Sequence, residues 1–205
     1  TAAQVVLKRN VPADPTAAYT IVKEEYLRRF HLAWLPPLGF NDTFAMVVRS
    51  EDGARLPTPD LSGASSRQWK LGIGYEFLTR PDGFQRLNKV YRIGWNGTPK
   101  SMDLGLLYQA LKQKQVDMAA GNSTDGQLSD PSMLALRDDK KAFPPYNACF
   151  VVRESLLERE PRVRAALDLL QNRIDDQTMR ALNERVEKRH MSIVKVAADF
   201  LATQP

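Results

Sequence analysis

Two short, unbroken apolar runs, at residues 44–48 and 148–152, bracket the middle of this chain. Apolar runs of this length without alternation are typical of strands that are buried on both faces of a sheet. Between the two runs, segments with strand character alternate with segments of helical periodicity, whereas the parts before and after are mainly helical. This pattern predicts an α/β fold.

The asymmetry between the middle and the flanks limits how the chain can be divided. Mainly helical flanks either pack on the central sheet or belong to a second domain whose sheet is mostly missing from this chain. In the second case the chain crosses between domains twice, near residues 40–46 and 144–150. The length of 205 residues fits one large domain or two small ones, so it does not decide between these arrangements.

Local signals locate some of the elements. Asp14-Pro15 predicts a helix over residues 15–30, because Asp is a favoured N-cap and Pro fits the first helical turn. Short sequence signals also predict a break at residues 36–39, a linker at residues 50–59 and a helix cap at Ser101. Residues 123–126 form a helix-capping or turn sequence, which we interpret as structural apart from a possible backbone contact to the ligand.

Composition excludes several classes of protein. The chain is 43% hydrophobic and 26% charged, and no apolar run approaches the roughly 18 residues of a membrane helix. The net charge of +5 is dispersed along the sequence, so we expect no nucleic-acid partner. One cysteine, Cys149, and two distant histidines, His31 and His190, form no pattern of metal ligands or catalytic groups. We therefore expect no metal, no cofactor and no enzymatic activity.

Four segments, in their order and spacing, resemble the osmoprotectant (glycine betaine, choline, proline betaine) substrate-binding proteins of ABC importers. They are Trp34–Ala45 (WLPPLGFNDTFA), Glu76–Gly83 (EFLTRPDG), Val116–Gly126 (VDMAAGNSTDG) and Leu136–Tyr146 (LRDDKKAFPPY). The resemblance extends over residues 1–201 and implies the two-lobed periplasmic-binding-protein fold of type II, with two crossover strands between the domains. Residues 1–43 and 147–205 would then form the remaining part of domain I, and residues 44–146 would form domain II.

The resemblance also implies that about the first quarter of such a protein is not in this sequence. Thr1 is similar to the last residue of the family's Tyr-Thr-Gly-Thr motif, so domain I is expected to be incomplete. Its sheet would lack strands, or something else, such as a second chain, would complete it.

The function that the resemblance implies is the capture of a betaine-like quaternary ammonium osmolyte as the two domains close around it. The protein would deliver this osmolyte to the transmembrane subunit of an ABC permease. It would work in the periplasm or another extracytoplasmic location, including the cell surface as a lipoprotein. The alternative is a ligand-sensing effector domain of the same fold, attached to a regulator.

The family holds its ligand with a cage of tyrosines, an acidic residue and carboxylate-binding groups. Carried over to this sequence, the cage positions fall on Phe44, Asn122 and Tyr146, Asp42 faces the cation, and Arg80 and the Thr1 hydroxyl hold the carboxylate. Structural alternatives remain open: Arg80 pairs with Asp82 at a turn, Tyr146 packs at the hinge, Phe44 is a core residue, and Asp42 forms a turn.

Two of these positions depart from the family pattern. Phe44 keeps an aromatic face but lacks the phenol oxygen, and Asn122 replaces an aromatic residue altogether. A lost aromatic face weakens the binding of a quaternary ammonium. We therefore expect low affinity or altered specificity, and Asn122 could instead bond to a ligand that carries an N–H or a hydroxyl group.

Overall fold

The structure, a computed structural model, describes residues 2–10 and 14–204, without the side chain of residue 5. It divides into two compact units: the first comprises Thr1–Asp42 and Pro144–Met179, and the second comprises Thr43–Phe143 and Arg180–Pro205. Both helices and strands are present, so the predicted α/β class is confirmed.

In chain order, the strands are β1 (Leu32–Asn41), β2 (Phe44–Arg49), β3 (Gln68–Trp69), β4 (Leu71–Ile73), β5 (Gly94–Trp95), β6 (Lys100–Ser101), β7 (Met118–Asn122), β8 (Met133–Ala135) and β9 (Asn147–Arg153). The α-helices are α1 (Pro15–Phe30), α2 (Ser50–Gly53), α3 (Leu61–Ala64), α4 (Tyr75–Thr79), α5 (Phe84–Tyr91), α6 (Leu104–Lys112), α7 (Glu154–Arg159), α8 (Pro161–Asp168), α9 (Asp176–Glu187) and α10 (Ile193–Leu201). A π-helical turn covers Ala2–Val6 and a 3₁₀ turn covers Gly126–Ser129.

Helix α1 of the first unit begins as its sequence predicts. The Asp14 carboxylate accepts a hydrogen bond from the Ala17 amide at 2.7 Å, with Pro15 in the first turn. A small apolar cluster forms on the buried face of this helix, where Val22 and Tyr26 pack against Leu7. The cluster fixes α1 against the N-terminal turn.

The sheet of the first unit consists of β1 and β9, which pair antiparallel. The predicted break at residues 36–39 is wrong, because β1 runs through Pro36 and Pro37. Proline is tolerated at irregular positions and edges of a ladder, and the register shifts on both sides of Pro37, which pairs with Cys149. The two prolines therefore distort the strand without ending it.

The second unit contains a five-stranded mixed sheet in the order β6-β4-β7-β2-β8. Strand β2 is antiparallel to both of its neighbours, and its residues Ala45–Val48 are buried, as the apolar run predicts. Hydrophobic clusters cover both faces of the sheet, one around Met46 and Trp69 and the other around Val47 and Leu107.

Two other local predictions are wrong in this unit. The proposed linker at residues 50–59 begins with α2, in which Asp52 is buried; its carboxylate pairs with Arg49 at 2.6 Å. Ser101 does not cap α6, because it lies in β6; the N-cap is Asp103, whose carboxylate accepts from the Gly105 amide at 2.8 Å.

The units differ from the predicted domains at the C-terminal end of the chain. Their boundaries lie at residues 42–43 and 143–144, and the division into domains stays a prediction. The second unit also includes Arg180–Pro205, which the sequence placed in domain I. The reason is a set of contacts to the turn after β7. Arg180 donates to the carbonyl of Ser123, and the Asn183 amide donates to the carbonyl of Thr124 at 2.9 Å.

Candidate functional site

Phe44 and Asn122 lie next to each other in the second unit. They are directly opposite across the β2–β7 pair, and opposite residues of an antiparallel pair project from the same face of the sheet. The Phe44 ring makes edge contacts with Phe77, at 4.9 Å between centroids, and with Phe143, at 5.7 Å. The fold thus places an aromatic ring and an amide side by side, and Phe44 is both a partly buried packing residue and a neighbour of Asn122.

Arg80 joins this group from the connection between α4 and α5. Its guanidinium carbon lies 5.4 Å from the centroid of the Phe44 ring, which is within cation–π range. Asp82, whose side chain is fully buried, accepts two hydrogen bonds from Arg80 at 3.0 and 2.9 Å. This hydrogen bonding raises the pKa of the Arg80 guanidinium. The sequence alternative of an Arg80–Asp82 pair is therefore present, and it holds the guanidinium beside Phe44.

The turn in this connection depends on Gly83. A Cβ at this position would lie 2.1 Å from the carbonyl oxygen of Phe77, so a larger residue would displace the turn. The Gly83 amide in turn donates to the carbonyl of Arg80 at 3.1 Å. Arg80 is thus held by the turn that follows it as well as by Asp82.

Asn122 ends β7 and begins a tight turn that Asp125 stabilises. One carboxylate oxygen of Asp125 accepts from the backbone amide of Asn122 at 2.9 Å and from the hydroxyl of Tyr108 at 2.6 Å. The other lies 3.4 Å from the side-chain nitrogen of Asn122. Residues 123–126 were predicted as a helix-capping or turn sequence, and nothing in the sequence indicated the contact to Tyr108, whose helical spacing indicates a buried apolar face.

Asp42 and Tyr146 lie together in the first unit, where the backbone amide of Asp42 donates to the carbonyl of Tyr146 at 3.2 Å. The amide of Tyr146 donates in turn to the side chain of Asn41. Both residues line a cavity of about 490 Å³ within this unit, together with Phe40. These predicted positions are thus adjacent, and they face a partly aromatic cavity.

Two further aromatic residues of the same cavity, Tyr19 and Trp34, were not predicted as site residues. The Tyr19 hydroxyl donates to the carbonyls of Trp34 and Leu35 at 3.3 and 3.1 Å, and burial raises the pKa of this phenol. The indole nitrogen of Trp34 is buried and has no hydrogen-bond partner among residues 2–10 and 14–204. The helical spacing of Tyr19 in α1 indicates a residue that packs against the rest of the unit, so there was no reason in the sequence to assign it to a binding cavity.

The remaining predictions concern single residues. Thr1 lies outside the described residues. Cys149 lines the cavity, and burial raises the pKa of its thiol to about 11, so little reactive thiolate exists at neutral pH.

In the part of the chain that the structure describes, no three His, Cys, Asp or Glu side chains converge as metal ligands. In that same part, every helix is too short or too polar to cross a bilayer.

Comparison with known proteins identifies the family. Residues 7–203 match the family model described as the substrate binding domain of an ABC-type glycine betaine transport system. A glycine-betaine-binding protein of Pseudomonas aeruginosa is 36% identical over 200 residues, which cover 92% of this chain and 64% of that protein. The carnitine transport binding protein OpuCC of Listeria monocytogenes is 31% identical over 191 residues, which cover 92% of this chain and 62% of that protein.

Solved structures agree with this assignment. A crystal structure of a glycine betaine/carnitine/choline ABC transporter matches with a TM-score of 0.86 and 28% identity, over 98% of this chain and 74% of that one. The fold is therefore that of the type II periplasmic binding proteins. The chain spans 64% and 62% of the lengths of the two relatives named above. It belongs to the family of substrate-binding domains of ABC-type glycine betaine transport systems.

Proposed function

We propose that this protein is the extracytoplasmic solute-binding component of an ABC importer, and that it binds a small zwitterion with a methylated cationic nitrogen and a carboxylate. Family membership supports the transport role. The observation that carries the choice of ligand is the group in the second unit, where the Phe44 ring, the Arg80 guanidinium and the Asn122 amide are neighbours.

The chemistry of a betaine explains why these side chains suit it. A quaternary ammonium cannot donate hydrogen bonds, so it is bound by aromatic faces, each worth about 0.5–2 kcal/mol. A carboxylate accepts several hydrogen bonds and is bound well by arginine. Phe44 supplies an aromatic ring and Arg80 supplies a guanidinium. In the first unit, Tyr146 and Asp42 line a separate cavity, where they offer an aromatic ring and a carboxylate.

Asn122 sets the expected affinity. An asparagine in place of an aromatic cage residue removes one face from the cation site, which we expect to weaken the binding of a quaternary ammonium by several-fold to about tenfold. The protein is thus proposed to be a low-affinity member or one of altered specificity. Capture by closure of the two domains stays a prediction, and so does delivery to the permease subunit.

Calorimetric titration of the purified protein with glycine betaine, choline, proline betaine and proline tests this function. We expect glycine betaine and proline betaine to bind, whereas choline, which lacks the carboxylate, and proline, which lacks the N-methyl groups, should bind more weakly or not at all. Absence of binding by all four at millimolar concentration would overturn the osmolyte assignment.

Restoring the aromatic face gives a sharper test. Asn122→Tyr should tighten the binding of glycine betaine by several-fold. Asn96→Tyr, the same change at an exposed position after β5, is the matched control and should leave the affinity unchanged. An unchanged affinity in Asn122→Tyr would mean that residue 122 does not contact the cation.

A further inference from the structure

The Asn122 side chain is oriented by its neighbours, and this orientation has a chemical consequence. Its amide nitrogen faces Asp125 at 3.4 Å. That distance is long for a hydrogen bond, but an ionised carboxylate can only accept. The reverse orientation would place the amide oxygen of Asn122 against the negative oxygen of Asp125. Asp125 therefore selects the orientation in which the amide oxygen of Asn122 points away from it.

The Asp125 carboxylate is itself held firmly. It accepts from the backbone amide of Asn122 and from the hydroxyl of Tyr108, whose side chain is 6% exposed. Two hydrogen bonds to one of its oxygens therefore fix the position of Asp125. Its negative charge, together with burial as the larger cause, raises the pKa of the nearby Glu187.

Glycine at position 121 makes this close arrangement possible. A Cβ on Gly121 would lie 2.1 Å from the Tyr108 hydroxyl oxygen and 2.9 Å from a carboxylate oxygen of Asp125. Only glycine allows the hydroxyl, the carboxylate and strand β7 to come this close. The contact that directs the Asn122 amide is thus fixed from two sides, by α6 and by the turn after β7.

We propose that Asn122, positioned by Asp125 and Tyr108, presents its amide oxygen as a hydrogen-bond acceptor to the cationic end of the ligand. The preferred ligand is then a carboxylate compound whose ammonium group keeps one N–H, rather than a fully methylated one. This inference rests on the proposed function, since it assumes that residue 122 contacts the cation.

The preference follows from what each ligand offers to that oxygen. A tertiary ammonium donates a charged N–H, and such hydrogen bonds are stronger than neutral ones. A quaternary ammonium places a methyl group there and leaves the amide oxygen without a donor. One hydrogen bond to a charged group corresponds to a preference of about tenfold or more. Asn122 is the specificity residue, and Asp125 and Tyr108 are positioning residues that act through it.

The test is a pair of calorimetric titrations of the purified protein, with N,N-dimethylglycine and with glycine betaine. The two compounds differ only by one N–H in place of one N-methyl group. We expect N,N-dimethylglycine to bind about tenfold more tightly. The ratio of the two affinities, N,N-dimethylglycine over glycine betaine, is thus about ten. In Asn122→Leu, which keeps the approximate size but removes the acceptor, this ratio should fall to about one or below.

The positioning residues are tested by the same ratio, which a purely structural role would not change. Asp125→Asn can donate as well as accept, so the Asn122 amide can turn and the ratio should fall. Tyr108→Phe removes one of the bonds that hold Asp125, so the ratio should fall by less. Asp103→Ala is the control, because it removes the side-chain cap of α6; it should lower the melting temperature and leave the ratio unchanged.

Each outcome decides between the two proposals. If both compounds bind with equal affinity, or if glycine betaine binds more tightly, the inference about Asn122 is wrong and the transport function stands. If neither compound nor the other osmolytes bind, the proposed function fails and the inference fails with it. If Asp125→Asn does not fold, Asn122→Leu and Tyr108→Phe still decide, because an unchanged ratio in both would overturn the inference.

Discussion

The two apolar runs that bracket the middle of the chain became very different strands. Residues Ala45–Val48 of β2 are buried, because strands lie on both sides of β2 and hydrophobic clusters cover both faces of its sheet. Within the described residues, strand β9 pairs with β1 alone, and its residues are partly or largely exposed. The same local sequence pattern therefore gave a core strand in one unit and a half-exposed strand in the other, and neighbouring strands made the difference.

The burial of charged side chains also differs between the two units. Among the described residues, the buried carboxylates Asp52, Asp60 and Asp82 all lie in the second unit. In the first unit, Glu25 pairs with arginines of α1 whose side chains are largely exposed, Arg28 and Arg29. Buried pairs are costly to break, whereas exposed pairs contribute little. We therefore expect matched substitutions to have much larger effects in the second unit.

The largest difference is expected for the ion pairs. Arg80→Met removes the partner of the fully buried Asp82 and should lower the free energy of unfolding by about 3–5 kcal/mol. Arg28→Met, the same change at an arginine whose side chain is 66% exposed, should have a much smaller effect, because Glu25 keeps its pairs with Arg9 and Arg29. Urea unfolding of both variants measures the difference.

A double variant provides the control for this prediction. In Arg80→Met with Asp82→Leu the unpaired charge is gone, so much of the lost stability should return. Equal stabilities of Arg80→Met and Arg28→Met would contradict the burial of the Arg80–Asp82 pair.

The second prediction compares the two apolar runs directly. Val48 in β2 is fully buried and Val151 in β9 is 43% exposed. Val48→Ala should cost about 2 kcal/mol through lost burial and a residual cavity, whereas Val151→Ala should stay within about 0.5 kcal/mol. Chemical unfolding measures both values. Similar costs at the two positions would mean that β9 is buried in the protein in solution.

The smallest effect is expected in the pH dependence of stability. Asp60 accepts hydrogen bonds from the Gly63 amide, the Thr58 hydroxyl and Arg137, and these lower its pKa from 3.8 to about 2. A pKa that is lower in the folded state adds stability above the unfolded value, and this stability is lost as the pH falls from about 4 towards 2. In Asp60→Asn the melting temperature should therefore depend less on pH in that range, which thermal unfolding at a series of pH values measures.

Glu25 in the first unit offers the comparison for Asp60. Hydrogen bonding to Arg28 is the main cause that lowers the pKa of Glu25. Because the donors that lower the pKa of Glu25 are exposed arginine charges, added salt should suppress its contribution. The two larger causes at Asp60, the Gly63 amide and the Thr58 hydroxyl, are uncharged, so most of its contribution should resist salt. The measurement is the dependence of the melting temperature on pH between about 4 and 2, at low and at high salt. If added salt changed this dependence equally in Asp60→Asn and in Glu25→Gln, the expected difference would be contradicted.

Elements with complete local signals were predictable from the sequence. Helix α1 has its N-cap, its proline and its apolar spacing within one segment, and β2 is a single apolar run. The path of β1 through two prolines was not predictable, because its pairing depends on β9, which is distant in the sequence. The grouping of Arg180–Pro205 with the second unit depends on contacts to the carbonyls of Ser123 and Thr124, which no local pattern reveals.

The candidate site was predictable only as a set of positions. The resemblance named Phe44 and Asn122, and the β2–β7 register brings them together. The role of Tyr108 was missed because its spacing in α6 indicates a buried apolar face, and it is indeed buried. Only the structure reveals that its hydroxyl reaches Asp125. Hydrogen bonds between distant elements are thus the part of the site that the sequence could not supply.

The two prolines of β1 also bear on how the first unit avoids self-association. A strand edge with unpaired amide groups is a template for pairing with another chain. Pro36 and Pro37 have no amide hydrogen to offer, and the carbonyls of Pro37 and Leu38 already accept from the amides of Asn172 and Ile174 at 3.1 Å. This side of β1 is thus a poor template for aggregation.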